Sequence, residues 1–307
     1  MIPSNHTTHA GFTTISPLKA WILATRPKTL PAAVAPVIVG AALAIADHQF
    51  APWPVTGALL AALLLQIGVN LANDYFDSVK GIDTRERLGP IRVTQSGLIP
   101  PGRVKTAMQV IFLAAMIIGA FLAYIGGWPI IIIGITCVLA ALAYSGGPYP
   151  LASHGLGDIF VFIFFGWVAV CGTYYLQTRC VTRLAFLSGT QVGLLITAIL
   201  VVNNLRDIIT DSRSGKITLA VKIGARGSKR EYVLLTSAAY VLLPLIWLGG
   251  WHTPWILLPL LSLPMAVYLQ RKVWQNTSAL QLNQLLAQTA GLSLLFSVLL
   301  AIGLVLN

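Results

Sequence analysis

Apolar and polar positions in this chain alternate in long blocks rather than residue by residue. Nearly unbroken apolar runs occupy 30–47, 53–73, 105–126, 129–145, 158–177, 184–205, 232–249, 254–270 and 283–306. Each approaches the roughly 20 residues that a helix needs to cross a bilayer. A membrane-barrel strand instead reads as about ten residues of strict alternation. In lipid, a helix meets all its backbone hydrogen bonds within itself. The pattern therefore predicts an all-α integral membrane protein with nine transmembrane helices. One polytopic domain is expected over 1–307, opening on a polar, cytoplasmic N-terminal tail at 1–20. That tail lacks the basic start, apolar core and small-residue cleavage site of a signal peptide, so the first span is expected to stay in the mature protein. Connections are short except at roughly 74–104 and 206–231, which are expected to form cytoplasmic caps between helices 2 and 3 and helices 6 and 7.

Composition agrees with this reading. Of 307 residues, 56% are hydrophobic and only 9% charged, where a soluble domain carries about a quarter charged. The net charge of +11 would suit a nucleic-acid binder, but its distribution argues against one. Lys19, Arg26 and Lys28 precede the first span. Lys80, Arg85, Arg87, Arg92, Arg103 and Lys105 follow the second. Arg206, Arg213, Lys216, Lys222, Arg226, Lys229 and Arg230 follow the sixth, and Arg271 and Lys272 the eighth. With a cytoplasmic N-terminus, only Arg179 and Arg183 fall outside, which is the asymmetry of the positive-inside rule. The C-terminus is then expected outside. Cys137, Cys171 and Cys180 lack metal-ligand spacing and read as packing residues.

Acidic residues change the picture most. Six of the nine, Asp74, Asp77, Asp83, Glu86, Asp207 and Asp211, lie in two short windows at the cytoplasmic ends of spans two and six. Asn70-Leu-Ala-Asn73-Asp74-x-x-Asp77 and Asn203-Asn204-x-x-Asp207-x-x-x-Asp211 both run from apolar helix through asparagines into spaced aspartates. They lie about half a chain apart, as in an internal repeat. Spacings of three and four put each pair on one helix face, with Asn70 and Asn203 one turn earlier. Oxygen ligands of this kind suit magnesium, which completes its shell with water and substrate phosphates. Asp74, Asp77, Asp83, Asp207, Asp211 and Asn70 are the metal candidates, able to hold two ions bridged by a diphosphate. Asn73, Asn203, Lys80, Arg213 and Lys216 are candidates for the diphosphate itself. Gly81 and Gly215 suit the turns at which these helices end. The bland alternative is a wet loop carrying ordinary aspartates, and two matching clusters make it the weaker reading.

These residues resemble the signature of the intramembrane aromatic prenyltransferase family, which also makes ubiquinone precursors and haem O. Its first motif, NDxxDxxxD, begins here as Asn73-Asp74-x-x-Asp77; its second, DxxxD, is Asp207 to Asp211. Position 81 is glycine and the third acid falls at Asp83. That longer spacing, NDYFDSVKGIDT, resembles the branch acting on 1,4-dihydroxy-2-naphthoate. RPKTLP (26–31), YSGGPYPLASHGLGD (144–158), the following FFGW and NNLRDIITDSRSGKITLAVKIG (203–224) agree with it. The resemblance covers roughly residues 19–230; the last three helices match in character only.

The resemblance implies nine helices around a central cavity open to lipid, magnesium as cofactor, and the cytoplasmic (inner) membrane of a bacterium. It also implies the substrates, a polyprenyl diphosphate and dihydroxynaphthoate. Diphosphate leaves the allylic carbon, and the electron-rich ring attacks the resulting cation with loss of the carboxylate, giving demethylmenaquinone. Asp74, Asp77, Asp207 and Asp211 would be catalytic. Tyr144, Tyr149, Phe164 and Trp167 either line the cavity as cation-stabilising faces or simply pack. Arg26 and Lys28 either bind the acceptor's carboxylate, for which the arginine fork is better shaped, or anchor the first span. Asp158 either positions the acceptor or a lysine, or is an N-terminal helix charge; His154 reads as a loop residue. The sister acceptors 4-hydroxybenzoate and homogentisate are disfavoured by the long-spaced first motif. A secondary transporter is disfavoured because the span interiors carry almost no charge. A lipid-phosphate alcohol transferase would need a D-x-x-D-G-x-x-A-R motif, which is absent.

Overall fold

The computed structural model describes residues 15–81, 89, 92–250, 253–275 and 278–306. Among them every regular element is helical. In chain order these are α1 (Pro17–Thr25), α2 (Pro31–Ala46), α3 (Pro52–Val79), α4 (Pro101–Gly126) and α5 (Trp128–Ser145). They continue with α6 (Gly157–Thr178), α7 (Arg183–Arg213), α8 (Leu219–Leu248), α9 (Pro254–Gln275) and α10 (Ala279–Val305). Eight helices from α3 to α10 are long and apolar enough to cross a membrane. A ninth span arises if α1 and α2, joined at a 50° bend, count as one. Eight of the expected spans are thus present as single helices and the first as a bent pair, and the chain is a multi-pass membrane protein.

Proline opens α1, α2, α3, α4 and α9; at the first helical position its missing N–H costs nothing. Thr182 caps α7 by accepting from the Ala185 amide (3.2 Å), and Thr218 caps α8 by accepting from Val221 (3.3 Å). Such caps satisfy amides that a helix start otherwise leaves bare. α6 passes through a π-helical stretch at Phe162–Val168. There a Cβ on Gly166 would stand 2.7 Å from the Gly189 carbonyl oxygen of α7, so only glycine lets the two backbones approach this closely.

α7 is the innermost helix: 72% of its most apolar stretch is buried, against 17% for α5. The largest core cluster joins α2, α6, α7, α8, α9 and α10, and a second joins α1, α3, α4 and α5. Outward-facing Ile131, Ile132, Ile135 and Leu139 of α5, and Leu113, Ile117 and Phe121 of α4, are exposed, as expected where lipid is the solvent. Trp53, Tyr124, Trp128 and Trp255 are also exposed. They stand at the start of α3, end of α4, start of α5 and start of α9, away from the aspartate clusters, and make an aromatic belt at the opposite membrane face.

The structure corrects the long cytoplasmic loops. α3 continues to Val79, α7 to Arg213, and α8 begins at Leu219 with a break at Gly224 (φ 72°). Most of 206–231 is therefore helix. Apolar runs end where polar side chains begin, while the backbone ladder continues as long as helix-compatible residues follow. Residues 1–14, most of the expected N-terminal tail, lie outside the described set.

Candidate active site

Both aspartate clusters ride on these helical extensions. Asp74 and Asp77 occupy the last turns of α3, and Asp207 and Asp211 those of α7. Each helix ends at a left-handed glycine four residues after its second aspartate, Gly81 (φ 66°) and Gly215 (φ 75°), so the expected turns are present. The two halves share one local design.

In the first cluster, Asp74 is 2% exposed. It accepts hydrogen bonds from the Val93 amide (3.0 Å), the Thr94 amide (3.1 Å) and the Thr94 hydroxyl. Asp77 pairs with Arg92, Nη2 to Oδ2 at 2.7 Å, and both side chains are buried. The segment leading into α4 is thus folded back over the motif. Asn70 donates through Nδ2 to the Thr25 carbonyl (3.0 Å) and the Thr29 hydroxyl (3.1 Å). It braces the α1–α2 bend, and only its Oδ1 has the chemistry of a metal ligand. Asn73 accepts from the Ser145 hydroxyl. Lys80 donates to the carbonyls of Ser145 (2.9 Å) and Gly147 (3.2 Å). In this conformation these two side chains fasten α3 to the end of α5. Asp83 lies outside the described residues.

In the second cluster Arg206 is a hub. It grips Asp207 with two bonds, Nε to Oδ1 at 2.8 Å and Nη2 to Oδ2 at 2.5 Å. It also reaches Asn203 (2.9 Å) and Asn283 of α10 (2.7 Å). A planar fork suits a carboxylate in this way. Because both charges are buried, Arg206→Ala should cost about 3–5 kcal/mol by stranding Asp207. The check is the unfolding midpoint in nanodiscs; an unchanged midpoint would mean that Asp207 is held by other groups. Asp211 and Lys216 make a looser pair at 3.9 Å. Arg213 is exposed in the last turn of α7, where a cation suits the helix dipole.

Tyr144, at the end of α5, joins the two clusters. Its hydroxyl lies in the electrostatic field of Asp158, Asp77, Asp211 and Arg26, one acid from each motif and two further site candidates. Arg26 reaches this neighbourhood because it ends α1 in a left-handed turn (φ 51°). Lys28 is exposed on the following turn. Asp158 is 6% exposed in the first turn of α6, and its Oδ2 meets no hydrogen-bond partner. Tyr149 is exposed and stacks on His154 at 3.5 Å. Trp167 donates to Thr190 (3.0 Å) and stacks on Phe186 (4.6 Å), while Phe164 stacks on Phe160 (6.0 Å).

No group of three His, Cys, Asp or Glu surrounds a common point among the described residues. The donor chemistry nonetheless fits a hard cation. Asp77, Asp207 and Asp211 each already face a positive side chain, and carboxylate and amide oxygens are what magnesium prefers. Sequence reasoning missed Arg92, Thr94 and Arg206 as partners of the motif. Arg206 was legible as the neighbour of Asp207, whereas the reach of Arg92 and Thr94 back to α3 depends on the loop path. A groove of about 380 Å³ lined by Trp21, Gly102, Arg103, Thr106 and Ala107 lies on the flank between α1 and α4, apart from Tyr144.

Known proteins share this arrangement of helices. The backbone superimposes on a UbiA homolog from Archaeoglobus fulgidus bound to GPP and Mg2+, with a TM-score of 0.68 at 14% identity, covering 94% of this chain and all of that one. The sequence is 38% identical to 1,4-dihydroxy-2-naphthoate octaprenyltransferase of Escherichia coli (strain K12), over 95% of this chain and 97% of the relative. It is 29% identical to the enzyme of that name in Bacillus subtilis (strain 168), over 92% and 91%. Residues 33–292 match the UbiA prenyltransferase family. With the match spanning both aspartate-bearing helix ends, the chain belongs to the UbiA prenyltransferase family.

Proposed function

We propose that the protein transfers a polyprenyl group from an allylic polyprenyl diphosphate to 1,4-dihydroxy-2-naphthoate. The carboxylate leaves as carbon dioxide, and the prenyl-naphthalenediol (demethylmenaquinol, the reduced form of demethylmenaquinone) and diphosphate are released. The reaction takes place in the cytoplasmic membrane of a bacterium, with the N-terminus and both aspartate clusters on the cytoplasmic side and the C-terminus outside. The observation that carries this reading is the matched pair of helix ends, with Asp74 and Asp77 buried at the end of α3 and Asp207 and Asp211 buried at the end of α7, in a chain 38% identical over 95% of its length to a naphthoate prenyltransferase.

The residues divide by charge. Asp74, Asp77, Asp83, Asp207, Asp211 and the Oδ1 of Asn70 form the pool from which two magnesium ions would be held. Bound magnesium supplies the positive charge that offsets the leaving diphosphate. Arg92, Lys216 and Arg213 hold phosphate oxygens, and Arg92 and Lys216 must first exchange their present aspartate partners. Arg26 offers its fork to the acceptor's carboxylate, and the Tyr144 ring faces the allylic carbon. Apolar walls keep water from an electrophile it would otherwise quench. The loop between Asp77 and Arg103 acts as a lid that opens to admit substrate; its residues Arg92, Val93 and Thr94 contact Asp77 and Asp74 in this conformation.

The acids gathered at one end of the bundle fit a site opening to one side rather than a transport path through the midplane. In the deciding assay, purified protein receives a polyprenyl diphosphate, magnesium and either dihydroxynaphthoate or 4-hydroxybenzoate, and products are identified by mass. A decarboxylated prenyl-naphthalenediol that disappears on adding EDTA is expected. Product from 4-hydroxybenzoate alone would keep the reaction class and overturn the acceptor.

A further inference from the structure

Asp158 stands out among the carboxylates because its environment is incomplete. It is buried, its own backbone amide donates toward it, and its Oδ2 meets no donor among the described residues. Buried acceptors in native proteins are overwhelmingly satisfied, and the exceptions cluster where a ligand completes them. The groups around it do not supply that donor in this conformation. Glu231 of α8 lies in its electrostatic field and is itself an acid. The Tyr144 hydroxyl lies 3.3 Å from the point where a Cβ on the adjoining Gly157 would stand, yet does not donate to this oxygen.

We infer that Asp158 accepts a hydrogen bond from a ring hydroxyl of the aromatic acceptor and so sets which way round that acceptor binds. The inference rests on the proposed acceptor and deepens it. A carboxylate of the substrate would be repelled by Asp158 and Glu231 and drawn to Arg26; a hydroxyl donor has the opposite preference. Asp158 and Arg26, both in the field of Tyr144, therefore offer opposite charges to the two kinds of substituent on the acceptor. In 1,4-dihydroxy-2-naphthoate the hydroxyl beside the carboxylate bonds internally to it. The remaining hydroxyl, para to the first, is the free donor and is the one assigned to Asp158.

The contact is tested by an analogue comparison rather than by activity alone. Inhibition by 1-hydroxy-2-naphthoate, which lacks the para hydroxyl, is compared with the KM of dihydroxynaphthoate in wild type, Asp158→Ala and Asp158→Asn. A hydrogen bond to a buried carboxylate discriminates by about 10–100-fold, so wild type should favour the dihydroxy compound by that factor. Asp158→Ala should bring the two within about 3-fold, and Asp158→Asn should fall between, with the KM for prenyl diphosphate unchanged in both. The asparagine keeps the shape of the side chain and serves if the alanine protein fails to fold. Equal binding of the two compounds by wild type, or undiminished discrimination in a folded variant, overturns the contact while leaving the prenyl transfer standing. Absence of any prenylated naphthalenediol from wild type would instead overturn the proposed reaction.

Discussion

Asp211→Asn is expected to lower turnover on the order of 10³-fold while the protein still folds and inserts. Asparagine keeps the side-chain shape and removes only the charge. The residue contributes little to holding the bundle through Lys216, because that contact is long, at 3.9 Å, and its partner is partly exposed. Its carboxylate is also one of those whose field reaches Tyr144, which places it toward the reacting groups. The corresponding change at Asp207 would confound two effects, since the buried fork of Arg206 would lose its counter-charge. Measuring turnover against magnesium concentration, with manganese binding followed by paramagnetic resonance as an independent readout, separates metal affinity from folding. Turnover within about 10-fold of wild type at saturating magnesium would remove Asp211 from the metal set.

Much of this was written in the one-dimensional pattern. Apolar length alone placed nine spans, because in lipid a helix has no alternative way to satisfy its backbone. The acidic windows were legible since charge is so rare here that six clustered acids stand out. Hydropathy alone ended the apolar runs at 73 and 205, whereas the aspartate spacing with Gly81 and Gly215 pointed to helix beyond them. Asp74 to Val79 and Arg206 to Arg213 do continue the ladder and thereby fix the aspartates on rigid elements. Side-chain commitments were illegible. Lys80 and Asn73 have the chemistry to hold phosphate, but contacts 65 and 72 residues away in the chain take them to the end of α5. Arg92 meets Asp77 across only 15 residues, but nothing in its immediate neighbours announces that the loop turns back. Arg26 and Lys28 were indistinguishable by position; in the structure Arg26 is partly buried at a left-handed turn and Lys28 is exposed.

Asp74→Ala is expected to abolish activity to a similar degree, for a reason that can be separated from metal loss. The carboxylate is the common acceptor for two backbone amides and a hydroxyl from Val93 and Thr94. Removing it leaves both amides without their acceptor at a buried site, at about 1–3 kcal/mol each, while the Thr94 hydroxyl keeps the main-chain carbonyl of residue 74 (3.1 Å). The segment would then leave α3, and with it Arg92 and the shielding of Asp77. Hydrogen exchange at the Val93 and Thr94 amides should accelerate by about 10–100-fold, and trypsin should gain access after Arg92. Thr94→Val, which removes the hydroxyl and spares both amides, should cost far less, with turnover within about 10-fold of wild type. If Asp74→Ala abolishes turnover while exchange at both amides stays at the wild-type rate, the loop is held by other contacts and Asp74 acts directly on the metal-diphosphate. If exchange rises and turnover survives, closure of this segment is not required for reaction, and the lid reading fails.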